Sequence, residues 1–200
     1  MISAQLMYIN GKNLYSNDYA SFNTIDYITR FNDKNIFYYG NWPPTKETAI
    51  KLFQDLRIYN SSNTIQQQVW HFWVTFQDTN NINFVNTFAN NIALIFVPFF
   101  PICLATHIDG KHLHTHFVVS TTSHVPNHPP LTKQLWNQYL EQIKNISLQN
   151  YGIDLYIISK KDSKKEPYIR PSCLRYLDFL FEDSNTTSQT IQEEQKIIYK

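Results

Sequence analysis

The stretch "HIDGKHLHTHFVVS", residues 107 to 120, constrains the fold more than any other part of the chain. Four of the seven histidines fall within ten positions, three of them at every second residue. That alternation belongs to a β-strand, in which side chains i, i+2 and i+4 share a face. Asp109-Gly110, set between two apolar runs, is a two-residue hairpin signal. With these two as the loop, His107 stands opposite His112, and residues opposite one another share a face. The expectation is a hairpin that turns His107, His112, His114 and His116 to one side of a sheet.

Neighbouring imidazoles repel when protonated, so such a row is favourable chiefly as neutral ligands around a cation. One ion takes its nitrogens at about 2.0–2.2 Å, whereas His112 and His116 lie roughly 13 Å apart along a strand. They do not share an ion. Two sets remain: His107 with His112 and His114, or His107 with His114 and His116. An ideal hairpin leans towards the first. Three neutral imidazoles leave the double charge of a divalent ion uncompensated and a coordination position open, which suits a Lewis acid acting on an anion such as a phosphodiester. Asp109 is a candidate acceptor for the outer nitrogen of a ligand, or simply the turn residue.

Around this hairpin, helical and strand patterns interleave. "SAQLMYI" near the N-terminus reads as a strand, and "SFNTIDYITRF" (21–31) as a short helix capped by Ser21, with Phe22, Ile25 and Thr29 on one side and Tyr27 on another. "TKETAIKLFQDLR" carries Ala49, Leu52, Phe53 and Leu56 at helical spacing behind a Thr cap. "QVWHFWVTFQ" (68–77) is aromatic and β-branched, as a buried strand should be. A helix over about 82–94, a strand over about 99–107, a long helix in "LTKQLWNQYLEQIKNISLQN" stopped by Gly152, and a strand "IDLYIIS" complete the order. The fold class expected is α+β, a central antiparallel sheet with helices packed on it. Residues 1–183 form one domain, and 184–200 a polar tail expected to be mobile.

Composition then excludes whole classes of function. Gly11, Gly40, Gly110 and Gly152 are isolated, so no Gly-rich loop brings backbone amides to a pyrophosphate, and no nucleotide cofactor is expected. Cys103 and Cys173 have no cysteine near them to make a redox pair or zinc ribbon. The longest apolar run, Ile92 to Ala105, is too short for a membrane helix and is broken by Pro98 and Pro101. With no signal-peptide pattern at residues 1–15 either, a cytoplasmic protein without membrane insertion is expected. The net charge is only +1, yet "KKDSKKEPYIRPSCLR" (160–175) gathers six Lys and Arg against two acids. A polyanion would be met locally.

Four pieces of the chain together resemble the nuclease domain of plasmid relaxases of the MobA and MobL type, within the HUH endonucleases. "HIDGKHLHTHFVVS" is similar to that family's metal motif, His-x-Asp-x-x-His-x-His-x-His before an apolar strand. "IDYITR" (25–30) resembles its tyrosine motif, "WHFWVTF" its His-Phe strand beside the metal strand, and "NYGIDLYI" the Tyr-Gly that closes the following helix. The resemblance covers most of residues 20–160 in the family's order, although Ser120 stands where the family often has Asn. It implies His107, His114 and His116 as ligands, against the ideal hairpin's lean to His112, and leaves Asp109 and His112 around the ligands. It implies Tyr27 as nucleophile. The activity it implies is site- and strand-specific nicking and rejoining at a plasmid transfer origin through a 5′-phosphotyrosyl intermediate, beginning conjugation or mobilisation.

The implied cofactor is one divalent ion, among manganese, magnesium and zinc, with imidazole favouring manganese or zinc. The implied partners are single-stranded DNA, accessory DNA-binding proteins and a conjugation coupling protein. Lys160, Lys161, Lys164, Lys165 and Arg170 would hold phosphates, and Tyr38, Tyr39, Trp42 and Tyr168 are candidates to stack on bases. Three other readings compete. A rolling-circle replication initiator would use Tyr139, on the long helix after the metal strand. A metal-dependent hydrolase would activate water and need a carboxylate base. A non-enzymatic DNA-binding remnant would keep the metal for structure alone.

Overall fold

Alternating apolar strands and amphipathic helices settle into one six-stranded sheet, seen in a computed structural model that describes residues 2–10, 15–17, 19–29, 36–39, 45–59, 67–109 and 112–161. The elements run β1 (Ala4–Asn10), α1 (Ala20–Ile28), β2 (Ile36–Tyr39), α2 (Lys46–Tyr59), β3 (Val69–Phe76), α3 (Ile82–Phe96), β4 (Ile102–Asp109), β5 (His112–Ser120), α4 (Lys133–Tyr151) and β6 (Leu155–Lys161). The sheet order is β2-β4-β5-β3-β1-β6. The α+β class holds, and one pairing departs from a purely antiparallel sheet: β6 returns from α4 to lie parallel to β1. Residues 1–167 form one compact unit; the second, 168–200, lies outside the described residues, as does the expected boundary at 183–184.

One face of the sheet carries the main core. Leu6, Phe72, Val74, Phe76, Leu104, Phe117 and Val119 meet Val85, Phe88, Ile92 and Phe96 of α3 and Trp136, Tyr139 and Ile143 of α4. Trp70 stacks on Trp136 with ring centroids 4.6 Å apart, and Phe72 on Phe117 at 4.5 Å. These rings remove large apolar areas from water, the chief source of stability in a domain of this size. The opposite face belongs to His71 and Trp73 of β3, Cys103, Ala105 and His107 of β4, and His114, His116 and Val118 of β5. Helix α1 packs on it, burying Phe22, Ile25 and Ile28, and α2 packs on α1 through Ala49, Ile50 and Phe53.

Several boundaries differ from expectation for local reasons. Helix α1 begins at Ala20 with Tyr19 in the cap position, so Ser21 lies inside the first turn rather than capping it. Strand β4 starts at Ile102, because the amides of Phe99 and Phe100 still bond to the Phe96 carbonyl at the end of α3. The four residues of β2 were not foreseen as a strand. The Thr45 cap is present, as Thr48 N donates to its hydroxyl at 3.2 Å and Thr45 N donates to Thr48 Oγ1 at 3.1 Å.

Gly152 ends α4 in the left-handed region at φ 64°, its amide bonded to the Leu148 and Ser147 carbonyls. A Cβ there would meet nothing within 4 Å. The cost of Gly152→Ala is therefore backbone strain alone, about 1–2 kcal/mol in a urea-unfolding midpoint comparison. Gly152→Asn should cost less, since Asn tolerates this conformation; equal losses would mean the site is crowded rather than strained.

Candidate metal centre

Register decides which histidines meet. Asp109 pairs with His112, His107 with His114, and Ala105 with His116. The loop expected at Asp109-Gly110 is thus displaced by one residue, Asp109 belonging to β4, and His107 does not stand opposite His112. The physical reason lies on the other side of the hairpin. In the observed register Ile102 faces Val119, Leu104 faces Phe117, and the buried hydroxyls of Thr106 and Thr115 bond to each other at 2.8 Å. A loop at Asp109-Gly110 would set Leu104 against Thr115 and Thr106 against Leu113, leaving buried hydroxyls among apolar side chains. Moving the loop by one residue slides the pairing by two, so the four histidines keep the expected face while their partners change.

His107, His114 and His116 come together. Each offers one nitrogen, and the three lie within 4.8 Å of one another. Their ring centroids form a triangle of 5.5, 5.3 and 5.0 Å. Nitrogens sharing one ion stand about 3–3.6 Å apart, so small ring rotations would close the set. The donor chemistry, three imidazoles with no carboxylate in the group among the described residues, fits a divalent ion of the manganese or zinc type. His112 is exposed at the start of β5 and outside this group. Of Asp109 only the backbone is described.

Two of these histidines are oriented from behind. His107, 4% exposed, donates from Nε2 to the Ile28 carbonyl at 2.7 Å. A carbonyl can only accept, so the lone pair of a neutral His107 is on Nδ1. Ile28 is the last residue of α1, where helix carbonyls lack intrahelical partners, so this bond ties the helix end to the histidine strand. His116 is held through Nδ1, 3.0 Å from Nε2 of His71, whose Nδ1 is in turn 2.8 Å from the Tyr15 hydroxyl. Burial pulls the His71 pKa down to about 4, keeping its imidazole neutral near pH 7. The contact from His114 Nδ1 to the His112 carbonyl, 3.5 Å, is too long to set a tautomer.

Tyr27 is half-buried near the end of α1, its ring edge-on to His116 at 5.6 Å and to His71 at 6.1 Å between centroids. Asp26 beside it forms an ion pair with Lys46 of α2. Tyr139 lies across the sheet in the main core, stacked on Phe96 at 4.5 Å, where burial raises its pKa. Among the basic residues, Lys160 is exposed with Nζ 5.2 Å above the ring of Trp73, itself 5.8 Å from His116. Of Lys161, Tyr38 and Tyr39 only the backbone is described, and Lys164, Lys165, Arg170, Trp42 and Tyr168 lie outside the described residues.

The family described as Relaxase: MobA/VirD2-like, nuclease domain, matches residues 27–151, well over half of the chain. The chain belongs to this relaxase family. No curated protein and no solved structure matches it. The matched span opens at Tyr27 and closes at Tyr151, so it takes in the histidine hairpin, β3 and the whole of α4. A relaxase nuclease domain is a DNA-nicking domain, and no described helix of this relaxase is long and apolar enough to cross a membrane. Sequence reasoning assigned no individual role to His71 or Tyr15. The available signal was a histidine in the middle of an aromatic strand, since a buried polar ring needs a hydrogen-bonding partner.

Proposed function

We propose that the chain nicks and rejoins one strand of DNA at a plasmid transfer origin, with Tyr27 as the attacking group, and so begins conjugative transfer or mobilisation. The observation that carries this reading is the edge contact of Tyr27 with His116, on a helix whose end is bonded to His107. The Tyr27 oxygen attacks phosphorus, the bond to the 3′ oxygen breaks, and the proton lost by the phenol is balanced by the one gained at the free 3′ hydroxyl. One ester replaces another. The phosphotyrosyl bond keeps the energy of the cut strand, so the 3′ hydroxyl can reverse the step without a nucleotide cofactor.

His107, His114 and His116 would hold the divalent ion, manganese, magnesium or zinc, which when bound polarises a non-bridging phosphate oxygen and favours the phenolate. His107 also restrains the end of α1, and the packing of α1 on the sheet keeps Tyr27 from moving away. Lys160 and Trp73 offer a phosphate contact and a ring face beside the histidines. Lys161, Lys164, Lys165 and Arg170 extend that basic stretch. Against the replication-initiator reading, Tyr139 is 6% exposed and on the far side of the sheet. Against a water-activating hydrolase, the described cluster contains no carboxylate base. Accessory DNA-binding proteins and a coupling protein in the cytoplasm are the partners this role requires.

The test is a covalent adduct. The protein is incubated with Mn2+ and labelled single-stranded oligonucleotides tiling the DNA that flanks its coding region. A denaturant-resistant adduct carrying the 5′ phosphate is expected; cleavage without an adduct would establish the hydrolase instead. A second expectation concerns salt. With net charge +1, affinity for single-stranded DNA should fall through only a few phosphate contacts, a log–log slope of about −2 to −4. A slope of about −7 or steeper, as ten contacts would give, overturns that reading of the charge distribution.

A further inference from the structure

Behind His116 runs a chain of two contacts that the cleavage step does not use. The Tyr15 hydroxyl is 2.8 Å from His71 Nδ1, and His71 Nε2 is 3.0 Å from His116 Nδ1. Tyr15 is 3% exposed and His71 5%, so neither reaches a substrate. They come from separate parts of the chain, Tyr15 from the segment before α1 and His71 from the middle of β3.

We propose that His71 and Tyr15 are positioning residues that hold His116 with its proton on Nδ1, so that Nε2 presents its lone pair to the ion. This rests on the three-histidine reading of the site. Each contact holds one hydrogen, and a neutral imidazole has one N–H and one lone pair. Only two directions are therefore possible. If Tyr15 donates to His71 Nδ1, then His71 Nε2–H donates to His116 Nδ1, the proton of His116 sits on Nε2, and His116 cannot bind an ion there. In the other direction His116 Nδ1–H donates to His71 Nε2, His71 Nδ1–H donates to the Tyr15 oxygen, and His116 Nε2 is a ligand.

Ion binding selects the second direction. Ligating histidines ordinarily donate their outer N–H to a carboxylate, carbonyl or water. Here the acceptor for His116 is an uncharged ring and that for His107 the Ile28 carbonyl, so neither of these two contacts adds negative charge. The ion's charge would stay available to the phosphate. His107 and His116 would also bind through different nitrogens, Nδ1 and Nε2, because Nε2 of His107 is held by the Ile28 carbonyl and Nδ1 of His116 by His71.

The experiment is nitrogen-15 NMR of histidine-labelled, zinc-loaded protein, together with calorimetric Mn2+ titration of wild type, Tyr15→Phe, His71→Leu and His71→Gln. His71 should appear as the Nδ1–H tautomer. Tyr15→Phe, which leaves that buried N–H without its acceptor, should weaken Mn2+ binding, by less than His71→Leu does; unchanged affinity in Tyr15→Phe overturns the part assigned to Tyr15. His71→Leu should weaken Mn2+ binding about 10–100-fold. His71→Gln, whose carboxamide can accept from His116 and donate to Tyr15, should remain within about threefold, since it restores the missing partner. An Nε2–H tautomer at His71 in the loaded protein, or wild-type affinity in His71→Leu while His114→Ala loses the metal, overturns the positioning role alone. Failure of wild type to bind Mn2+ or zinc overturns the metal reading and this inference together. If His71→Leu does not fold, the tautomer and the Tyr15→Phe titration decide.

Discussion

Tyr27→Phe is expected to eliminate both strand cleavage and the protein–DNA adduct, a loss on the order of 10⁴-fold or more, as removal of a nucleophile brings. The substitution deletes one oxygen and keeps the ring, so the edge contacts with His116 and His71 survive. Fold, Mn2+ affinity and DNA affinity should then be close to wild type. That combination separates chemistry from structure: a hydrolase using metal-activated water would still cut. A peptide map of the wild-type adduct identifies the attacking residue directly. Attachment at Tyr139 would move the chain to the replication-initiator class, although that tyrosine would first have to leave its stack on Phe96. Attachment at Tyr15 would require breaking its buried bond to His71. Attachment at Tyr19 would equally refute the assignment.

Alanine at His107, His114 or His116 is expected to abolish cleavage, with a loss of Mn2+ affinity beyond the roughly 10–100-fold that an outer partner is worth. His112→Ala should keep a substantial fraction of both, because His112 is exposed and pairs with Asp109 rather than with one of the three converging histidines. The three losses should differ in kind. His107→Ala also leaves the Ile28 carbonyl without this donor, and should lower stability by about 1–3 kcal/mol. His114→Ala removes a half-buried side chain rather than a fully buried one, so it should melt closer to wild type than His107→Ala. Thermal unfolding beside metal titration distinguishes them. Equal metal loss in all four variants would sink the three-histidine assignment.

What was legible in the chain depended on the range of the interaction that decides it. Helix α4 could be read from Leu135, Tyr139, Ile143 and the stop at Gly152, because cap, period and stop are local. Helix α3 and strand β3 were legible for the same reason. The α+β class followed from their alternation, but not the parallel β1–β6 pair, which joins residues about 150 positions apart in sequence. The family resemblance drew on motif order along the chain, and the matched span takes in the His-Phe strand and the histidine hairpin whole and the tyrosine and Tyr-Gly motifs in part.

The histidine row shows the division most clearly. By itself the sequence determined that His107, His112, His114 and His116 share one face, because side-chain alternation along a strand is a property of the backbone. It did not determine which three converge. That followed from register, and register was decided by Leu104 against Phe117 and Thr106 against Thr115 on the buried face, where a mismatch would strand hydroxyls in the core. Nor could spacing show that Tyr27 meets His116, or that His71 and Tyr15 stand behind it across separations of 45 and 56 residues. The first contact exists only once α1 is packed on the sheet, the second only once β3 has paired with β5, and the third only once the segment before α1 lies against β3. The residue types for metal and phosphoryl chemistry are written locally, while their convergence is set by the packing of strands and a helix distant in the chain.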